Sequence, residues 1–262
     1  MQSEGLSTFS LFAIVYSIVV EALIYQAYTK LVNRIRGRRG FLLMACLSLT
    51  MRVFVPSVLV IYVEGSSPAS LGLYLSLSAL VFPAIIIAFL VTQSLSVIED
   101  IYRVKYLGED PWTLIKLYTP RSYKMELVSQ LTLSGLPEEF LYRGYFLSRL
   151  VMTFGPVLGA VASSIYFGIV HMWSIVRGRQ VGDMLKALRT FINGMIYAAL
   201  FIWFGLIPCI VVHVSGNLSC GWISKKVLVG LGLVSSAQEF GQRTQSRGNG
   251  VSSALVTDIR PT

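Results

Sequence analysis

Charge is scarce in this chain of 262 residues. Asp, Glu, Lys and Arg make up 13% of it, while 54% is hydrophobic. That charged share is about half of what a soluble domain carries, so a soluble globular protein is excluded. There are three cysteines, Cys46, Cys209 and Cys220, and all fall within apolar runs. They have neither disulfide nor zinc spacing and read as small hydrophobes. Strictly alternating strands are absent, which excludes a membrane β-barrel. Internal repeats are absent as well, which removes the sequence symmetry common in transporters. The N-terminus has no basic region of the signal-peptide kind, so its first apolar run is expected to remain as a helix.

What the chain has instead is long apolar runs, at about 7–28, 41–63, 69–98, 126–150, 156–173, 190–205, 207–220 and, shortest, 222–234. Several approach the ~20 residues that span ~30 Å of hydrocarbon. The expectation is an all-α membrane protein, a polytopic helical bundle with about eight transmembrane helices. Residues 1–234 form its one domain, and the polar, Ser- and Gln-rich residues 235–262 form a disordered tail. Pro56 is expected to kink the second run. The segment PWTLIKLY, between the third and fourth runs, suits the headgroup layer.

The net charge is +9. Its Lys and Arg cluster between alternate runs, which marks those loops as cytoplasmic and the N-terminus as outside. The bilayer therefore accounts for the basic charge, and nucleic acid is not an expected partner. Arg243, Arg247 and Arg260 in the tail fit an outside placement poorly. Either the last run does not span or the tail charges carry no topological weight.

Residues 126–150 break the apolar pattern, because Glu138, Glu139 and Arg143 sit in the middle of the run. One charge at bilayer depth costs roughly 2.5–3.5 kcal/mol on insertion scales, so these three must face the bundle interior or a wet cavity. Glu139 and Arg143 are four apart and share a helix face, where they can pair. Glu138 is rotated about 100° from that face and is left as the available carboxylate. The chain has only two histidines, His171 and His213, both in apolar runs. Phe167 shares a face with His171, and Asn217 with His213. In the expected topology Glu138, His171, His213 and Asn217 meet in the cytoplasmic half of the bundle.

A carboxylate in a low-dielectric cavity acts as a general base, and a histidine beside it positions water or carries the proton. Two donors such as His213 and Asn217 suit an oxyanion. The residues thus point to hydrolysis of an acyl bond by activated water. Zinc is the rival reading of a Glu, His, His set. There is no HExxH, and no metal or other cofactor is expected. Glu21 and Arg52 are further intramembrane charges, expected to pair with each other, with a substrate carboxylate as the alternative partner of Arg52.

EEFLYR at 138–143, FGIVH at 167–171 and HVSGN at 213–217 form, in order, the patterns EExxxR, FxxxH and HxxxN. The chain in this respect resembles the CAAX protease and bacteriocin-processing family of membrane endopeptidases, which includes the type II CAAX prenyl endopeptidases. The resemblance covers about residues 126–220. It implies that Glu138 activates water with His171 helping, that His213 and Asn217 form the oxyanion hole, and that Glu139, Arg143 and Phe167 support the site. It further implies a peptide or lipidated protein substrate, cut near its C-terminus. A non-catalytic immunity or scaffold protein of the same fold and a proton-relay transporter are the competing functions. A lipidated substrate requires a lateral opening between helices beside the polar residues.

Overall fold

A computed structural model describes residues 2–34, 38–74, 76, 78–120, 122–172 and 181–234. The expected polar tail lies outside the described residues. Helix α1 (Gln2–Arg34) is followed by α2 (Arg38–Leu49), which continues through a π-helical turn (Thr50–Phe54), α3 (Val55–Val58) and a second π-helical turn (Leu59–Val63). Pro56 has no N–H for the carbonyl of Arg52. The chain answers by widening into the π-helical turn just before it rather than by breaking. That widened turn carries Arg52 inward, where it is buried.

The third apolar run does not span from residue 69. Helix α4 covers Val81–Leu107, and a 3-10 turn (Pro68–Leu71) ends on Gly72 at φ 73°. This stretch tucks under the turn between α9 (Val181–Phe204) and α10 (Leu206–Gly230). The Leu206 N–H donates to the Gly72 carbonyl at 3.0 Å. The loop's buried backbone thereby finds a partner that lipid cannot supply.

Helix α5 (Pro111–Tyr118) is the expected interfacial segment. The Asp110 side chain accepts from the Thr113 and Trp112 N–H groups at its start. Those bonds, with the one from the Thr113 hydroxyl foremost, hold the Asp110 carboxyl below the usual carboxylate range. Trp112, Leu114 and Ile115 are buried. A Cβ on Gly221 of α10 would lie 2.4 Å from the Tyr118 carbonyl oxygen, so glycine is what lets α5 seat there.

The charged fourth run is a broken helix. Helix α6 (Tyr123–Thr132) stops, Ser134 leaves helical geometry, and α7 (Gly135–Glu139) starts again and runs through a π-helical stretch (Phe140–Leu147) into α8 (Ser148–Met172). Pro137 explains the break, because it offers no N–H to the Leu133 carbonyl four residues before it. Inside α8, Gly155 takes φ 80° and ψ 170°, with Pro156 next. The chain reverses there. Tyr142 meets Phe167 with ring centroids 4.9 Å apart, and the Ser163 hydroxyl donates to the Tyr142 carbonyl at 3.3 Å.

Six helical segments are long and apolar enough to cross a membrane, and one of them, Tyr123–His171, doubles back at Gly155. Among the described residues this amounts to seven crossings, one fewer than the sequence suggests. The expected seventh and eighth runs are a single helix, α10, which carries Lys225 and Lys226 without interruption. Their ammonium groups stay beside Trp112 and Trp222, at 5.7 and 6.0 Å from the ring centroids. Long cationic side chains reach a headgroup layer in this way without ending a helix.

The packing is that of a bundle in lipid. Phe82, Ile87, Val157 and Trp203 face outward, while charged groups are buried and paired. Glu64 and Arg149 pair at 2.6 Å, as do Glu99 and Arg189. Asp100 accepts from Ser224 at 2.6 Å, tying α4 to α10.

Candidate active site

The broken helix leaves the Leu133 carbonyl without a helical partner, and the second span supplies two. Arg52 Nη1 donates to it at 2.9 Å and the Ser48 hydroxyl at 3.1 Å. The break also places Glu138 in the first turn of α7, where the exposed ends of backbone N–H dipoles favour an anion.

The two adjacent glutamates have different fates. Glu139 is completely buried. Its Oε1 accepts from Arg143 Nη1 at 3.1 Å and contacts His213 Nδ1 at 2.6 Å. The Arg143 guanidinium is sandwiched against aromatic rings, 4.1 Å from the Phe167 centroid and 5.1 Å from that of Tyr197. Tyr197 also stacks on the His213 ring, with centroids 5.5 Å apart. These contacts bring Glu139, Arg143 and Phe167 together with His213 and Tyr197.

Glu138 keeps 15% of its side chain accessible. Its Oε1 is 3.8 Å from Arg52 Nη1, and its Oε2 is 3.9 Å from His171 Nε2. Neither is a hydrogen bond, so the carboxylate is held between two basic groups with its lone pairs uncommitted among the described residues. His171 Nδ1 lies 2.8 Å from the Phe167 carbonyl. A carbonyl only accepts, so that nitrogen carries the proton, and Nε2 of the neutral ring faces Glu138 as an acceptor.

His213 and Asn217 start from one face of α10 but reach different partners. Asn217 Nδ2 donates to Gln130 Oε1 at 2.8 Å, and Gln130 in turn donates to Glu126 at 2.8 Å. The Ser134 hydroxyl contacts the same Gln130 oxygen at 3.3 Å. The carboxamide of Asn217 retains a second N–H beyond the one given to Gln130. Gln130 is thus a site neighbour that the sequence did not single out, and Arg52, which stood out as an intramembrane charge, is one whose approach to Glu138 was not foreseen. A buried glutamine three residues before a helix break is the only signal Gln130 offered. Among the described residues no three His, Cys, Asp or Glu side chains converge as a metal site would require.

Beside these residues a groove of about 490 Å³ opens between α1 and α8. Ile18, Ala22, Tyr25, Tyr28 and Ile169 line it, and Glu21 and Arg52 are its polar end. Ile18, Tyr28 and Ile169 are exposed on the outer face of the bundle, so the groove opens toward the hydrocarbon.

Residues 120–219 match the family model described as Type II CAAX prenyl endopeptidase Rce1-like. No curated protein and no solved structure matches the chain. The matched segment contains the broken helix, the Gly155 reversal and all three motifs, and excludes Glu21 and Arg52. The motif-bearing part of this integral membrane protein, residues 120–219, is therefore similar to the type II CAAX prenyl endopeptidases, over somewhat less than half of the chain.

Proposed function

We propose that the protein is a membrane-embedded endopeptidase in which Glu138 activates water for attack on a peptide carbonyl. One observation carries this reading. Of the two buried-motif glutamates, Glu138 alone is reachable and uncommitted, and it faces the acceptor nitrogen of His171 at 3.9 Å. A water that donates one proton to Glu138 and the other toward His171 Nε2 turns an oxygen lone pair to the substrate. Attack transfers one water proton to Glu138. The tetrahedral intermediate collapses as that proton passes to the leaving nitrogen, giving an amine and a carboxylic acid, whose remaining proton leaves through His171 Nε2 to give the carboxylate.

His213 and Asn217 would take the oxyanion. With Nδ1–H given to Glu139, His213 can donate from Nε2 only as an imidazolium, and the Glu139 carboxylate at 2.6 Å balances that charge. Donors fixed before charge develops are what make such sites effective. No step in this scheme requires a metal or organic cofactor.

The groove favours a lipidated or otherwise membrane-associated peptide. For an acyl or isoprenoid chain already in the bilayer, entering it yields little hydrophobic gain, since lipid is as apolar as the lining. What it supplies is orientation, bringing the attached peptide past Arg52 toward Glu138. The positive-inside rule, applied to the basic loops, supports a site that opens to the cytoplasm.

The test is cleavage of quenched peptides, with and without a prenyl group, by purified protein and its Glu138→Gln, His171→Ala and His213→Ala variants. Loss of cleavage in all three with folding intact supports the reading. Undiminished cleavage by Glu138→Gln rejects it, and a Glu138→Gln protein that retains its cellular function identifies a scaffold or immunity role.

A further inference from the structure

Arg52 lies outside the matched segment, yet it touches the site more closely than most residues within it. Its Nε and Nη2 form a two-pronged pair with Glu21 at 2.9 and 2.6 Å. Its Nη1 holds the Leu133 carbonyl at 2.9 Å and stands 3.8 Å from Glu138 Oε1. Three anchors from three segments therefore fix one guanidinium. Glu21 is on α1, Leu133 is at the helix break, and the π-helical turn of the second span sets the direction of the Arg52 side chain. A planar fork bonded on two edges cannot swing, so whatever it faces is held in a fixed field.

We propose that Arg52, oriented by Glu21, is a positioning residue for Glu138: it holds the carboxylate charged and turned toward the water and His171, and it does not contact the peptide. Three of its five N–H groups are given to Glu21 and Leu133, and its Nη1 already faces Glu138, which argues against Arg52 as a receptor for a substrate carboxylate. Its place at the polar end of the α1–α8 groove makes it also the boundary between the apolar channel and the reacting groups.

The charged and titratable groups around Glu138 come from every neighbouring element. Arg52 faces it from the second span, with Glu21 of α1 behind. His171 faces it from α8 and His213 from α10, while Glu139, Tyr142 and Arg143 lie on its own helix. On α6, Glu126 is joined to Gln130. Arg52 and Glu21 therefore act on Glu138 with opposite signs. Removing the cation makes the carboxylate harder to ionise, and removing the anion behind the cation makes it easier. A residue that only stitched helices together would not give opposite signs.

The inference rests on the proposed role of Glu138, and the experiment separates the two. Arg52→Gln, Arg52→Lys, Glu21→Gln and the double variant Arg52→Gln/Glu21→Gln are compared by cleavage of a prenylated quenched peptide across pH. They are also compared by the infrared band of protonated carboxyl that Glu138→Gln removes, which needs no substrate. Expected for Arg52→Gln is a kcat at least tenfold lower with KM within about threefold, and an acid limb moved to higher pH. Arg52→Lys recovers part of the loss. Glu21→Gln moves the limb and the infrared midpoint to lower pH. The double variant leaves no orphan buried charge, and keeps the Arg52→Gln direction while folding like the parent. If Glu21→Gln and the double variant leave both midpoints unmoved, the inference is overturned, whatever the rate. If the midpoints move but Glu138→Gln still cleaves, the positioning holds and the proposed reaction falls.

Discussion

His213 Nδ1 is bonded to Glu139 and not to Glu138, at 2.6 Å from Oε1. One glutamate of the adjacent pair thereby ties α10 to the π-helical stretch, and the other is left for the proposed chemistry. Arg143, Glu139 and His213 form a chain in which the middle carboxylate serves two basic partners.

Removing Glu139 should therefore cost stability first. Glu139→Ala strands the buried Arg143 guanidinium, and breaking a buried pair in this way costs about 3–5 kcal/mol. Glu138→Gln leaves Arg52 paired with Glu21 and should change stability by less than about 1 kcal/mol while abolishing cleavage. Thermal unfolding in detergent beside the cleavage assay gives this contrast. Equal destabilisation by the two changes would show that the division of labour is wrong.

Asn217 and Gln130 give a graded pair. Asn217→Ala removes a donor from the proposed oxyanion site and should lower kcat on the order of 10²-fold. Gln130→Ala leaves that donor present but unoriented, so a smaller fall in kcat with KM preserved is expected. A Gln130→Ala enzyme as impaired as Asn217→Ala would point to a direct role for Gln130 instead.

Much of this was legible in the sequence, for reasons visible in particular residues. The i, i+4 spacing that pairs Glu139 with Arg143, and the 100° offset that frees Glu138, are properties of one helix and need no tertiary information. The contacts of Arg52 and Gln130 with the site were not legible. Both depend on the break at Pro137, which releases the Leu133 carbonyl and tilts α6, and on which neighbouring helix then fills the gap. The count of crossings failed at Gly221, where the runs 207–220 and 222–234 were divided although α10 continues through it to Gly230. The start of the third span failed at Gly72, whose left-handed backbone folds apolar residues under the α9–α10 turn.

That turn is a second place where backbone geometry dictates the residue. Gly205 sits at φ 85° and ψ −167°, and an added Cβ would come 2.8 Å from the Gly72 carbonyl oxygen. A side chain there pays strain of ~1–3 kcal/mol and pushes against the hydrogen bond that closes the loop. Gly205→Ala should lower the unfolding midpoint and expose the loop around Gly72 to protease. Gly65, around which nothing lies within 4 Å of an added Cβ, is the control for backbone strain alone.

The groove makes a prediction that chemistry at Glu138 does not. Ala22 and Ile169 line it from opposite helices, away from the hydrogen-bonded residues. Ala22→Trp should fill it, raising KM for a prenylated peptide by about tenfold or more while leaving a soluble, unlipidated peptide unaffected. The comparison must be made at equal peptide orientation, so both peptides carry the same sequence around the scissile bond. Selective loss of the lipidated substrate would tie the α1–α8 opening to lipid-chain recognition. Equal loss of both would mean that the tryptophan had disturbed Arg52 and, through it, Glu138, which the infrared midpoint would register. No loss with either peptide would leave Glu138 as the base but move substrate entry to another face of the bundle.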